Sequence, residues 1–375
     1  MFDRRLIENW DWILLFVLLL LAAISIFNLY SATYQIREVG GSQVFVKQIY
    51  WYLIGFGVFL IMTTFNYSIL HQLAYPVYFF SVALLVWVLF MGKTTAGSQR
   101  WISFGPISFQ ASELAKVAVV LVLAKFFSEG DRVQEYNWKD LLQPLILIGV
   151  PAFLILKEPD LGTTLHLVVA ALSMFIFVKI SWKSVVVLAL PALGVAPFIW
   201  FRLKSYQQTR ILAFLRPDVD PLGAGYHINQ SKIAIGSGQF WGKGFLKGTQ
   251  TRLHFLPEQH TDFAFSVLAE EWGLIVSVFL LLIYLFLIMW GLNIAKDAKN
   301  KFGSFLAVGI VAIVFWQVVI NVGMVTGLLP VVGIPLVLFS YGGSSLVSTM
   351  AAMGLLMNIS MRRFMFSEGS GLPTR

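Results

Sequence analysis

The densest group of polar side chains lies at residues 255–263, FLPEQHTDF, directly before a long apolar run. Its ionisable members are Glu258, His260 and Asp262, and the chain before them is rich in Lys and Arg. Asp262 stands at the predicted start of a helix, where its carboxylate could simply accept hydrogen bonds from free backbone N–H groups. A carboxylate at the mouth of a membrane cavity is also a candidate for binding or catalysis. Asp262 is therefore the first candidate catalytic residue.

A second ionisable pair, Glu113 and Lys116, lies three residues apart within an apolar segment. An unpaired charge at the centre of a bilayer costs about 2.5–3.5 kcal/mol. The spacing places both side chains on one helix face, where each can neutralise the other. The pair could serve only to fix helix packing, or Lys116 could contact a polar ligand.

Two further candidates lie in short loops between apolar runs. Arg100 follows a glycine and precedes Trp101, so it could anchor the loop at the membrane interface. Its planar guanidinium group is equally suited to gripping a phosphate. Asp160 lies in a tight turn, residues 157–162, where it could cap the next helix or line a polar cavity.

The composition identifies the solvent that surrounds most of the chain. Of the 375 residues, 58% are hydrophobic and only 12% are charged, against about 25% charged in a soluble domain. The mean hydropathy is +0.78. The absence of cysteine excludes disulfides and thiolate metal sites, and no P-loop, dinucleotide-binding or His-metal motif is present. We predict an all-α, polytopic integral membrane protein with a single domain, residues 1–375.

About ten apolar runs are long enough to span a bilayer, which takes roughly 20 residues. The first is too long for a signal-peptide core and is predicted to be retained. The predicted spans are 12–31, 46–64, 73–91, 112–128, 140–156, 162–179, 184–201, 263–291, 304–327 and 344–361. Residues 327–345, apolar but rich in Gly and Pro, are typical of a re-entrant loop.

Lys and Arg in the short loops favour a cytoplasmic N-terminus. An even number of spans then places both termini, including the tail 362–375, in the cytoplasm. Residues 202–261, between the seventh and eighth spans, form a large extracytoplasmic loop with eight basic residues and three acidic ones. Two segments of this loop, 206–212 and 226–233, are predicted to be short amphipathic helices at the interface, and they contain Arg210 and Lys232 respectively.

Four blocks of sequence together resemble the SEDS family of membrane glycosyltransferases. They are AGSQRWISFGPISFQASELAK, EPDLGT, the stretch 217–273 and LPVVGIPLVLFSYGGSS. The GTQ stretch followed by FLPEQHTDF is similar to the elongation-type RodA branch rather than to the FtsW branch. The resemblance covers about residues 10–365.

The resemblance implies a polymerase in the bacterial cytoplasmic (inner) membrane. It implies that lipid II disaccharide-pentapeptide units are joined on the outer face by inverting glycosyl transfer, for cell elongation and rod shape. By position, it implies that Asp262 is catalytic and that Glu113, Lys116 and Arg100 belong to the site. We also expect Asp160, Arg210, Lys232, Glu258 and His260 to contact the substrate.

The resemblance further implies a class B penicillin-binding protein as transpeptidase partner, within the elongation machinery. We expect contacts with the membrane and none with nucleic acid. No cofactor is certain, although a divalent cation, Mg²⁺ or Mn²⁺, could assist. Two alternatives stay open: a lipid II flippase or transporter, which shares intramembrane charges and broken segments, and a scaffold that only recruits a cell-wall partner.

Overall fold

The computed structural model describes residues 9–34, 44–95, 98–104, 107–130, 135–188, 205–215, 223–253 and 258–363, together with residues 194, 201, 255 and 256. Within these residues, seven helices are long and apolar enough to cross a membrane. They are α1 (Trp12–Ala32), α2 (Val44–Thr64), α3 (Ser68–Met91), α5 (Trp138–Lys157), α10 (Ala264–Lys296), α11 (Lys301–Val325) and α12 (Gly343–Arg362). They match seven of the predicted spans and confirm the polytopic, helical class.

The remaining predicted spans differ in length or lie partly outside the described residues. Helix α4 (Ala111–Glu129) covers the predicted fourth span and carries more charged residues than any other of the long helices. The sixth span is α6 (Leu161–Ser173), extended by one 3₁₀ turn to Phe177, which gives 17 residues. The predicted seventh span, 184–201, lies mostly outside the described residues, as does the tail beyond residue 363.

The loop that follows α3 contains a small antiparallel sheet that the sequence analysis did not anticipate. Its strands are β1 (Lys93–Thr95), β2 (Ser98–Phe104) and β3 (Ile107–Gln110), in the order β1-β2-β3. Strand β3 pairs with β2 from Trp101 opposite Gln110 to Phe104 opposite Ile107. Because β3 ends at Gln110 and α4 begins at Ala111, the sheet fixes Arg100 and Trp101 beside the first turn of α4.

The large loop contains the two predicted amphipathic helices and a short third one. They are α7 (Ser205–Leu215), α8 (Ala224–Gly238) and α9 (Thr249–Arg252). Glu270 of α10 is fully buried, and its carboxylate accepts hydrogen bonds from Lys243 and from the backbone N–H groups of Gln250 and Thr251 at α9. Glu270 therefore ties this loop to the bundle.

Helix α10 is interrupted at Gly273, whose φ of 73° and ψ of −169° are not helical. Residues 239–244 fill the interruption with backbone hydrogen bonds. The N–H groups of Lys243 and Gly244 donate to the carbonyls of Glu270 and Glu271, and the N–H of Leu274 donates to the carbonyl of Gln239. A Cβ at Gly273 would lie 2.4 Å from the nitrogen of Gly242, so this close approach requires glycine.

The predicted re-entrant segment is non-helical from residue 327 to 342 and largely buried. Backbone carbonyls without helical partners must be satisfied inside a membrane protein. Six side chains of the surrounding helices donate to the carbonyls of residues 334–340: Ser25, Gln48, Tyr52, Tyr284, Gln317 and Asn321. The segment thus forms a rigid floor held by α1, α2, α10 and α11.

Candidate active site

A cavity of about 290 Å³ opens where several helix ends meet at one end of the bundle. The N-terminal ends of α4, α6, α10 and α12 converge there with the floor residues Gly333, Ile334 and Pro335. Its charged lining consists of Arg100, Glu113, Lys116, Asp160 and Asp262. Five of the nine predicted site residues, distant in sequence, are therefore brought together in one cavity.

Asp262 lies in the turn that precedes α10. The residue at the N-cap is Phe263, and no side chain caps this helix. No hydrogen bond to the Asp262 carboxylate is found among the described residues, whereas its backbone carbonyl accepts a 3.0 Å hydrogen bond from Asn321. The simple capping interpretation is therefore wrong, and the carboxylate stays available to a ligand.

The surroundings of Asp262 raise its pKa from 3.8 to about 6. Burial is the largest cause, and the negative charge of Glu258 is the next. Arg210 and Arg100 lower the pKa, and Asp160 raises it. A helix N-terminus should instead favour the ionised form. Desolvation wins because the cavity walls enclose the carboxyl group, which brings its pKa close to the range useful for a general base.

Glu113 and Lys116 form the predicted ion pair, with 2.9 Å between Lys116 Nζ and Glu113 Oε1. Both side chains are buried, and the other Glu113 oxygen accepts a 2.9 Å hydrogen bond from Ser348 of α12. Because both residues also line the cavity, the pair stabilises the packing of α4 against α12 and still presents a cation to a ligand.

Arg100 and Asp160 both line the cavity and form an ion pair, with 3.5 Å between Nη1 and Oδ2. The guanidinium group also donates to the carbonyls of Glu158 and Pro159. Asp160 caps α6 through the N–H of Thr163 at 3.0 Å and accepts from Gln110 at 3.2 Å. Asp160 thus fulfils both interpretations made from its turn.

Glu158, at the end of α5, is the most buried acid beside this pair, with 1% of its surface exposed. Burial and the neighbouring Asp160 raise its pKa to about 8, against the opposing effect of Arg100. At neutral pH it is therefore mainly uncharged, so Asp160 is the acid that pairs with Arg100 among the described residues.

Four predicted site residues do not line the main cavity. Arg210 lines a small neighbouring cavity together with Arg100. Glu258 and His260 lie in the turn before Asp262, where burial lowers the pKa of His260 against the effect of Glu258. Lys232 lies on α8, and its aliphatic chain covers Gly327. The structure therefore separates Lys232 from the cavity.

Other cavity residues carry no sequence signal of their own. His166, Gln317 and Tyr341 line the wall, but each is a lone polar residue in an apolar or glycine-rich segment. The i,i+3 spacing of Thr163 and His166 after Asp160 is the one pattern that could have indicated a shared polar face. Among the described residues, no three His, Cys, Asp or Glu side chains are grouped to hold a metal ion.

Comparison with known proteins identifies the family to which this chain is related. A family model described as a cell cycle protein, FtsW/RodA/SpoVE, matches residues 11–364. The peptidoglycan glycosyltransferase MrdB of Escherichia coli K12 is 42% identical over 359 residues, covering 96% of this chain and 95% of that protein.

Two solved structures have a similar fold over almost the whole chain. A chain from a study of polymerisation and crosslinking by a peptidoglycan synthase complex has a TM-score of 0.80 and 32% identity, covering 95% of this chain and 98% of that one. The Thermus thermophilus rod shape determining protein RodA has a TM-score of 0.70 and 26% identity, with coverage of 95% and 98%. The chain therefore belongs to the FtsW/RodA/SpoVE family, the SEDS proteins.

Proposed function

We propose that this membrane protein is a peptidoglycan glycosyltransferase of the RodA type, which polymerises lipid II during cell elongation. The observation that carries the proposal is a single cavity that holds Asp262 together with the cations Arg100 and Lys116. Among the described residues, no side chain or backbone group forms a hydrogen bond with the Asp262 carboxylate. The relative with 42% identity is named as an enzyme of this class.

The chemistry of lipid II requires this combination. Its sugar is held through an α-linked pyrophosphate, and the glycan product is β-1,4 linked, so displacement at the anomeric carbon inverts the configuration. The bond from the sugar hydroxyl oxygen to the anomeric carbon forms as the bond to the pyrophosphate breaks. Asp262 takes the proton of the attacking hydroxyl. Pyrophosphate leaves with the bonding electrons, and its charge needs cations rather than a second acid.

The cations of the site divide this work. Lys116 and Arg100 stabilise the departing pyrophosphate from the main cavity, and Arg210 adds a positive charge from the neighbouring one. Glu113 and Asp160 hold Lys116 and Arg100 in place. Glu258 and His260 contact substrate at the rim, where Glu258 also raises the pKa of Asp262. Lys232 is exposed outside the cavity, so it contacts a part of the substrate that extends beyond the reacting sugar. Assistance by Mg²⁺ or Mn²⁺ stays a prediction.

The alternation of the helices supports an extracytoplasmic site. Basic residues in the short loops favour a cytoplasmic N-terminus and C-terminus. With ten spans, the N-terminal ends of α4, α6, α10 and α12 then face outwards, which is where the cavity lies. We place the protein in the bacterial cytoplasmic membrane, with the large loop outside.

A class B penicillin-binding protein is the proposed partner, because the chain carries no Ser-x-x-Lys motif in its large loop for crosslinking the strands. A chain of similar fold comes from a complex that couples polymerisation and crosslinking. On α10 and α11, Phe279, Phe286 and Phe315 are exposed and offer a docking face, whereas Leu280 is buried. Phe286→Arg should abolish co-purification with the partner, and Ile146→Arg, on the exposed side of α5, should not.

Purified protein in nanodiscs, supplied with fluorescent lipid II and the partner, tests the activity directly. Wild-type protein should form glycan polymer, and Asp262→Ala should insert and bind the partner without polymerising. Movement of lipid II across liposomes without polymer would instead indicate a flippase. Neither polymer nor movement would indicate a scaffold.

A further inference from the structure

His166 is a buried histidine on the cavity wall to which the mechanism above gives no part. It lies on α6 with 1% of its surface exposed. Its two ring nitrogens contact two other helices: Nδ1 lies 3.4 Å from Lys116 Nζ on α4, and Nε2 lies 2.8 Å from the backbone carbonyl of Ile313 on α11. The imidazole therefore connects the catalytic cavity to the inner wall of the bundle.

These two contacts define the protonation of the ring. A carbonyl oxygen only accepts, so Nε2 must carry the hydrogen that bonds to Ile313. A lysine ammonium only donates, so Nδ1 must offer its lone pair to Lys116. A cationic ring would instead direct an N–H at the ammonium group. The arrangement therefore requires a neutral imidazole with its hydrogen on Nε2.

The same contacts determine where Lys116 directs its charge. An ammonium group has three N–H donors. One bonds to Glu113 at 2.9 Å and a second to His166. No further partner of Lys116 is found among the described residues, and its side chain lines the cavity. Because two of its N–H donors are bound to acceptors on α4 and α6, the third N–H of Lys116 points in a defined direction.

We infer that His166 is a positioning residue: its neutral ring, held by Ile313, fixes the Lys116 ammonium so that one N–H remains for an anionic phosphate oxygen of the substrate. This inference rests on the proposed function for the identity of that substrate. Without His166, the ammonium is held by Glu113 alone and can turn away from the ligand.

Substitutions that keep one ring contact each separate this role from simple packing. In His166→Asn, the side-chain oxygen can occupy the place of Nδ1 and accept from Lys116. In His166→Gln, the amide nitrogen can reach towards Ile313, but the acceptor for Lys116 is lost. His166→Phe keeps the ring shape and loses both contacts.

Binding of undecaprenyl pyrophosphate to the full chain in nanodiscs is the first measurement. His166→Phe and His166→Gln should weaken binding about tenfold, the size expected for one hydrogen bond to a charged group. His166→Asn should retain binding within about threefold. In a Glu113→Gln/Lys116→Met background, where no carboxylate is left buried without its cation, His166→Phe should cause no further loss. Equal losses in the Asn and Phe variants, or an additive loss in that background, would overturn the inference.

Ser173→Ala provides the matched control, because Ser173 lies on the same helix away from the cavity, bonded to Trp316. It should bind the lipid as wild type does. Polymerisation by His166→Phe should show a lower kcat as well as a lower kcat/KM, because Lys116 stabilises the charge of the departing pyrophosphate.

The tautomer can be measured without any activity. In protein labelled with ¹⁵N-histidine, the His166 signals, assigned by their loss in His166→Asn, should show the neutral Nε2–H form from pH 6 to 8. A cationic ring at pH 7 would refute the inference. If wild-type protein makes no polymer, the proposed function fails, while the binding and tautomer results still decide the role of His166.

Discussion

The rate of glycan polymerisation should rise with pH and reach half of its plateau near pH 6, because the proposed base, Asp262, has a pKa of about 6. A base acts only when ionised, so the rate should be about a tenth of the plateau at pH 5 and about nine tenths at pH 7. An aspartate with an ordinary pKa would already be mostly ionised at pH 5. The two cases therefore differ about tenfold at that pH.

The neighbours of Asp262 should move this midpoint in opposite directions. Glu258 raises the pKa of Asp262, so Glu258→Gln should shift the midpoint to lower pH. Arg210 lowers that pKa, so Arg210→Gln should shift the midpoint to higher pH, and by less, since its effect is the smaller. Glu129→Gln, an exposed acid at the far end of α4, provides the control and should leave the midpoint unchanged.

Initial rates with fluorescent lipid II well below its KM, from pH 4.5 to 8.5, measure the midpoint in each variant, because kcat/KM reports the pKa values of the free protein. Asp262→Asn should be inactive throughout this range, since an amide cannot accept the proton. A midpoint near pH 4, or a shift in the same direction for Glu258→Gln and Arg210→Gln, would refute the assignment of Asp262 as the base.

Three further substitutions test the architecture. Gly273→Ala should cost about 1–3 kcal/mol of stability and lower the yield of monodisperse protein in size-exclusion chromatography. The control Gly236→Ala, at a position with open space around it, should leave that yield unchanged. Lys116→Met leaves Glu113 buried without its cation, at about 3–5 kcal/mol; adding Glu113→Gln should restore the yield but not polymerisation. The folded-state pKa of Asp262 lies above its value of 3.8 in the unfolded chain, so ionisation destabilises the fold increasingly from pH 3.8 to 6 and fully above pH 6. Asp262→Asn should therefore stabilise the fold at pH 8 by up to about 3 kcal/mol, seen as a higher melting temperature. Near pH 4 it should have little effect.

Local patterns were sufficient to predict much of the bundle and several members of the site. Helix α1 and residues 304–325 of α11 are long, uncharged runs whose character depends on no partner. The i,i+3 spacing of Glu113 and Lys116 indicated their ion pair directly. Asp160 was predicted because its turn and the helix after it are adjacent in sequence. In each case, the interaction lies within a few residues of chain.

The remaining features depend on contacts between distant segments. The sheet around Arg100 was missed because its loop alternates polar and apolar residues only briefly. His166 was missed because its importance comes from Lys116 and Ile313, both on other helices. The pKa of Asp262 depends on how far burial in the cavity outweighs the effect of the helix N-terminus. Burial is produced by segments distant in sequence, so the spacing of residues near Asp262 does not reveal it.

The floor formed by residues 327–342 has a consequence for the order of assembly. Its carbonyls are satisfied by side chains that enter the membrane early in synthesis, such as Ser25 on α1, which is 314 residues before its partner Phe339. Loop closure over such separations is slow and costs chain entropy. The first two spans must therefore wait, with Ser25, Gln48 and Tyr52 lacking these partners, until nearly the whole chain has been inserted. The catalytic cavity is the last part to form, so a chain arrested before residue 340 should be recognised as incomplete by membrane quality control.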